Sequence, residues 1–145
     1  MMKLPLTGGC LYGAIRYEIA RPPIGVYTCH CTDCQRITSS AFSIGMVVPA
    51  DAVGLPGETR TGESIADSGR IKRRLICPSC GIWIGGMPRP DTQAPGMVRV
   101  IRAGTLDDTS WVRPTIHFWT RSRQPWVLLP DGDQQYETQP ESVVR

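Results

Sequence analysis

Apolar and polar positions alternate along the chain in short runs, with no long helical period. Residues 10–19 put Leu11, Ile15, Tyr17 and Ile19 on one side and Tyr12, Arg16 and Glu18 on the other, the two-residue period of a half-buried strand. Arg21-Pro22-Pro23 ends that run, because proline withdraws a ladder donor and restricts its predecessor. The alternation returns in 41–48 through Phe42, Ile44, Met46 and Val48 before Pro49. It recurs in 70–76, with Ile71, Arg73 and Leu75 on one face, and in 97–103. In 115–120, Ile116 and Phe118 oppose His117 and Trp119, and 126–129 reads as a last strand. A short helical turn is expected over 33–40, a hairpin with loops over 51–69, a turn-rich insert over 85–96 and a turn over 104–110. A polar, peripheral tail is expected over 130–145. There is no internal repeat and no glycine loop of the phosphate-cradling type. The pattern predicts an all-β single domain spanning 1–145.

Composition changes this picture little. At 41% hydrophobic and 20% charged residues the chain has the make-up of a folded protein, and 15 glycines and 13 prolines keep its elements short. Charge adds one feature: the net charge is only +3, but 14 arginines stand against 2 lysines. Arginine's planar fork grips carboxylates and phosphates at two points, so an anionic ligand is permitted, with ordinary solvated surface as the alternative. Arg70, Lys72, Arg73 and Arg74 could form a nucleic-acid patch or a solvated strand face. The modest net charge favours the second, and no nucleic-acid partner is expected. The first residues lack a secretory signal's apolar core and no apolar run is long enough to span a bilayer, so a cytoplasmic protein outside the membrane is expected. Thiols stay reduced in that compartment, and six closely spaced cysteines then point to metal before disulfides.

Two cysteine pairs stand out, Cys31-Thr32-Asp33-Cys34 and Cys77-Pro78-Ser79-Cys80-Gly81. Two intervening residues let both sulfurs of a tight turn face one ion, and the glycine accepts the twist of such a knuckle. Spacing leaves two readings open. One is a single four-cysteine zinc ribbon that leaves Cys10 and Cys29 spare. The other groups Cys29, Cys31 and Cys34 on one ion whose fourth corner stays open to water or a substrate thiolate, the mark of a catalytic zinc. His30 lies between two of these cysteines, and its side chain diverges from theirs if the stretch is extended, so it reads as a neighbour and not a ligand. Trp83, Trp111 and Trp126 read as core or pocket wall.

Several landmarks recur in a fixed order: Gly8-Gly9-Cys10 with Gly13-Ala14-Ile15-Arg16-Tyr17, then Cys29-His30-Cys31-Thr32-Asp33-Cys34-Gln35-Arg36, then Cys77-Pro78-Ser79-Cys80-Gly81. Farther on come Ala103-Gly104-Thr105-Leu106-Asp107-Asp108 and His117-Phe118-Trp119-Thr120-Arg121-Ser122-Arg123 with Trp126. In this the chain is similar to the glutathione-dependent formaldehyde-activating enzyme family, which also contains centromere protein V. The resemblance implies an Mss4-like fold, a zinc-ribbon-related β-sandwich of short strands. It also implies a catalytic zinc on Cys29, Cys31 and Cys34, and a structural zinc on Cys10, Cys77, Cys80 and a cysteine at position 12. Here position 12 is Tyr12, a phenol in place of a thiolate. With three sulfurs left, that site recruits water, binds more weakly, or stands empty with a packed aromatic in the gap, giving one or two Zn2+ per chain.

The activity the resemblance implies is that of a carbon–sulfur lyase acting on a thiol adduct of a small aldehyde, as in joining formaldehyde to glutathione as S-hydroxymethylglutathione. Three thiolates on a dication leave one negative charge, so a nearby cation should help an anionic substrate approach, and Arg36 directly after the cluster is the first candidate. His117 is a candidate proton shuttle beside Trp119, the alternative being a hydrogen-bonded histidine at a sheet rim. Arg121 and Arg123 are candidates for substrate carboxylates, with solvated surface as the alternative. The rival function is a non-catalytic zinc-ribbon module that binds nucleic acid or protein through residues 70–74.

Overall fold

The computed structural model describes residues 1–142. In chain order its elements are β1 (Leu6–Gly9), β2 (Arg16–Ile19), β3 (Gly25–Cys29), α1 (Thr32–Thr38), β4 (Ser43–Pro49) and β5 (Val53–Gly54). They continue with β6 (Arg60–Ile65), β7 (Ile71–Ile76), β8 (Trp83–Gly86), β9 (Arg89–Pro90), β10 (Met97–Arg102), β11 (Ile116–Phe118) and β12 (Gln134–Gln135). A small sheet runs in the order β1-β2-β5, and a large one in the order β12-β11-β3-β4-β10-β8-β7-β6, with β9 added beside β10.

The two sheets form a sandwich because strand residues alternate between two cores. Met46, Val48 and Ile101 of the large sheet pack with Leu6, Tyr17, Ile19 and Val53 of the small one. The intervening Val47, Val98 and Val100 face the other way, with Tyr27, Ile116 and Phe118. The fold is all-β in a single domain, as the alternation predicts. Among the described residues no helix is long and apolar enough to cross a membrane.

Four local expectations need correction. The run 10–19 is not one strand: β1 and β2 are antiparallel arms, and the chain between them turns through Gly13 at φ +79°. Alternation alone is blind to that turn, which leaves Leu11 exposed and Tyr12 84% exposed. The expected strand over 126–129 is absent. Trp126 is 70% exposed and forms no part of the core, its indole N–H donating only to Gln124 Oε1 at 2.7 Å. The expected turn-rich insert begins inside β8 and holds β9, and Gly85 of β8 lies against Ile101 of β10 so closely that a Cβ there would sit 2.2 Å from the Val100 carbonyl oxygen. The segment expected as a peripheral tail returns to the large sheet: β12 pairs in parallel with β11, and the Tyr136 ring lies 5.8 Å from Phe118. The expected helical turn is α1, and the strands over 41–48, 70–76, 97–103 and 115–120 form as β4, β7, β10 and β11.

Because the Trp126 ring stands in solvent, Trp126→Ala should change stability by less than about 0.5 kcal/mol, readable from the urea unfolding midpoint. A loss of several kcal/mol would mean that the ring is packed after all.

Candidate metal centre

Cys29 is the last residue of β3, Cys31 caps α1 and Cys34 lies in its first turn. Leaving an extended strand for a helix within three residues swings the three side chains together. Their sulfurs lie within 4.8 Å of one another, compatible with a tetrahedral zinc whose sulfurs at about 2.3 Å are about 3.8 Å apart. The Cys34 N–H donates to Cys31 Sγ at 3.3 Å, and the Ser43 hydroxyl donates to Cys34 Sγ at 3.1 Å. Hydrogen bonds with Cys29, then Cys34, hold the Cys31 thiol far below its usual range, and the contact with Cys31 pushes Cys29 up. Cys31 is the member of the trio with most access to solvent. Lys72 adds its positive charge beside Cys31 and is held at 2.9 Å by Asp33.

A second trio, Cys10, Cys77 and Cys80, also converges within 4.8 Å. Cys10 comes from the end of β1 and the pair from the knuckle between β7 and β8, where the Gly81 N–H donates to the Cys77 carbonyl at 2.9 Å and Gly81 takes φ +79°. Left-handed backbone there is the reason for a glycine. The Ile15 N–H at 3.3 Å is the main influence lowering the Cys10 thiol to about 6. Cys77 belongs to the first core, and Cys29 and Cys34 to the second, so the trios occupy opposite faces of the large sheet. The converging sulfurs therefore divide three and three, not four and two as in a single ribbon.

Behind the first trio runs a polar chain that starts at the exposed Arg113 and is buried from Asp133 inward. Arg113 grips Asp133 at 2.9 and 3.0 Å, Asp133 meets His117 Nε2 at 3.0 Å, His117 Nδ1 meets Thr28 Oγ1 at 2.6 Å, and Thr28 Oγ1 meets His30 Nε2 at 2.9 Å. In the tautomer where Asp133 accepts from His117 Nε2–H and His117 Nδ1 carries no proton, Thr28 donates to Nδ1 and accepts from His30 Nε2–H. His30 Nδ1 is then left as a bare acceptor, buried with no partner among the described residues. Burial lowers the His30 pKa to about 4, which keeps the ring neutral.

A family model described as glutathione-dependent formaldehyde-activating enzyme matches residues 5–122. The chain belongs to that family. A Talaromyces marneffei protein whose name places it in the same family is 25% identical over 141 residues, covering 94% of this chain and 74% of its own length. One from Penicillium rubens, named likewise, is 28% identical over 88 residues, covering 61% of this chain and 45% of its own. The fold also resembles the crystal structure of a Rhodobacter sphaeroides protein, with TM-score 0.50 and 14% identity over 90% of this chain and 98% of that one.

For a member of the formaldehyde-activating family, position 12 is informative. Tyr12 extends into solvent, so the possibility of a packed aromatic replacing the fourth sulfur is excluded. Arg36 is exposed on α1 and borders an open hollow of about 490 Å³ with Gln35, Gln124 and Trp126. His117 is buried with both ring nitrogens engaged. His30 is not among the groups whose donor atoms converge. Arg121 lies 4.8 Å over the Trp119 ring and 3.9 Å from Asp67, while Arg123 donates to the Val127 carbonyl. Sequence reasoning missed Ser43, Lys72 and Asp133. Lys72 stood in a noted basic run, but nothing local marks Ser43 or Asp133, whose partners are distant in sequence.

Asp133 supplies a pH test. Hydrogen bonds from Arg113, then His117, lower its carboxyl to about 2, so its stabilisation is complete above the unfolded value near 4 and is lost as pH falls toward 2. Asp133→Asn should flatten the fall in stability between about pH 4 and pH 2, leaving the share due to Asp107, which is also lowered to about 2. Acid-unfolding curves of the two proteins check this, and coinciding slopes would contradict it.

Proposed function

We propose that the chain is a cytoplasmic zinc-dependent carbon–sulfur lyase that joins or releases a small aldehyde and a thiol such as glutathione at Cys29, Cys31 and Cys34. The carrying observation is the convergence of these three sulfurs, joined by no fourth cysteine or histidine donor atom among the described residues. A soft, all-sulfur set suits zinc, and three protein ligands match a site that keeps a position for substrate. When bound, zinc supplies a charge that stabilises a thiolate near neutral pH and polarises a carbonyl, without redox side reactions.

In the synthetic direction the thiol sulfur bonds to the aldehyde carbon, the C=O π bond breaks, and the thiol proton ends on the former carbonyl oxygen. The chain's own contribution is electrostatic and positional. Lys72 beside Cys31 attracts an anionic thiol, a role for which Arg36 is the other candidate. Arg36 and the Trp126 ring border the adjoining hollow, where the rest of the thiol compound can lie. His117 holds Thr28 and through it His30, which fixes the backbone between the liganding cysteines. Cys10, Cys77 and Cys80 would hold a second, structural zinc, completed by water in place of the missing sulfur.

The rival nucleic-acid module loses support from the basic run. Lys72 pairs with Asp33, Arg73 with Glu63 at 3.0 Å, and Arg74 donates to Ser64, so the β6–β7 hairpin presents no continuous cationic strip. The deciding experiment follows formaldehyde consumption with and without glutathione on zinc-loaded protein, alongside a nucleic-acid titration at several salt concentrations. Thiol-dependent consumption supports the enzyme. Its absence together with a steep salt slope would replace this reading with the binding module.

A further inference from the structure

Arg102 ends β10 and is only 9% exposed. Its guanidinium donates from one amino group to Ser43 Oγ at 3.1 Å and from the other to Tyr27 OH at 3.0 Å, and it stacks 4.1 Å above the Trp83 ring. No carboxylate lies within ion-pair distance of it among the described residues, and its Nε is buried without a partner. A buried cation facing only neutral groups is costly unless a negative charge stands close behind one of them.

The group that can supply that charge, the sulfur of a metal-binding cysteine, lies one hydroxyl away. A guanidinium can only donate, so Ser43 Oγ must accept from Arg102, and its single proton is left for Cys34 Sγ at 3.1 Å. The Ser43 proton therefore points at Cys34 Sγ, a contact that strengthens when that sulfur is a metal-bound thiolate. We propose that Arg102, acting through Ser43, is the positioning residue that neutralises and orients the Cys29–Cys31–Cys34 metal site. This rests on the trio holding a divalent metal. Three thiolates and a dication carry one negative charge, Arg102 carries one positive charge, and the buried unit is neutral as a whole. The polarised Arg102–Ser43–Cys34 chain also fixes the direction of one sulfur lone pair, as outer-shell partners of metal ligands do. Tyr27 and Trp83 hold the guanidinium in place, and cation–π contact with Trp83 lessens its desolvation.

Arg99 on the same strand is an internal control. It is equally buried and has no carboxylate within ion-pair distance among the described residues, but its Nε and an amino group both donate to the Gly86 carbonyl at 3.2 Å.

The test uses the full chain, reduced, with Zn2+ alone competed against a chelator of known affinity, and follows the binding step that Cys29→Ser removes. Arg102→Met should weaken that step about 10–100-fold, the range for loss of an outer-shell partner. Ser43→Ala should weaken it in the same direction, Arg102→Lys by less than Arg102→Met, and Arg99→Met not at all. With Co2+ in place of zinc, the thiolate-to-metal absorption should shift in Arg102→Met and Ser43→Ala but not in Arg99→Met. Unchanged zinc affinity in folded Arg102→Met, or equal weakening by Arg99→Met, would overturn the proposal and leave the enzyme reading standing. If Arg102→Met fails to fold, Ser43→Ala decides, and unchanged affinity there overturns it. If Cys29→Ser removes no binding step at all, there is no metal site for Arg102 to serve, and the proposal and the enzyme reading fall together.

Discussion

Cys29→Ser should remove one zinc ion per chain and reduce thiol-dependent aldehyde consumption by more than about a hundredfold, since a lost ligand costs more than the 10–100-fold of a lost outer-shell partner. Cys29 is buried at the end of β3, so a serine hydroxyl there would be a harder donor, reluctant to ionise and closed off from water that could take its place. Cys10→Ser is the companion variant. It should leave this zinc in place, because Cys10 belongs to the other trio on the opposite face of the sheet. Zinc content of both proteins purified under reductant, with the aldehyde assay in parallel, gives the answer. Unaltered zinc content in Cys29→Ser would remove the basis of the catalytic proposal.

Phe118→Ala should destabilise the fold by about 3–5 kcal/mol, a large share of the roughly 5–15 kcal/mol that holds a domain together. The ring is fully buried, 4.9 Å from Tyr27 and 5.8 Å from Tyr136, so its removal leaves a cavity among packed side chains. Its strand, β11, is joined by parallel ladders to β3 on one side and β12 on the other, and it carries His117. The effect should appear as a lower urea midpoint at unchanged slope, and a loss under about 1 kcal/mol would show that the cavity collapses instead.

The sequence carries the strands whose two faces differ. Arg16 to Ile19 reads correctly because Tyr17 and Ile19 enter the core while Arg16 and Glu18 remain outside. It misleads where the signal is apolar composition without burial, as at Trp126 and Leu128, or where burial comes without a side chain, as at Gly85 of β8. The short polar strand β12 has no amphipathic pattern, and backbone pairing with β11 alone defines it. The first trio is legible because its sulfurs are neighbours along the chain. The convergence of Cys10 with Cys77 and Cys80 followed from resemblance alone, since spacing permits other partners. Arg102, Ser43 and Asp133 escaped notice because their significance lies in what they face across the sheet, and a linear pattern holds no record of that.

The unequal chain separations of the trios bear on the order of assembly. Cys29, Cys31 and Cys34 sit within a single strand-to-helix passage, so a nascent chain can gather them before most of the sheet exists. Cys10 must await the knuckle formed by Cys77 and Cys80, and an ion shared among them would close a long loop and withdraw freedom from the unfolded ensemble. Chelation should therefore act on the two sites in different ways, silencing the local one while the architecture persists, but releasing the β1–β2 arm from its anchor at the distant one.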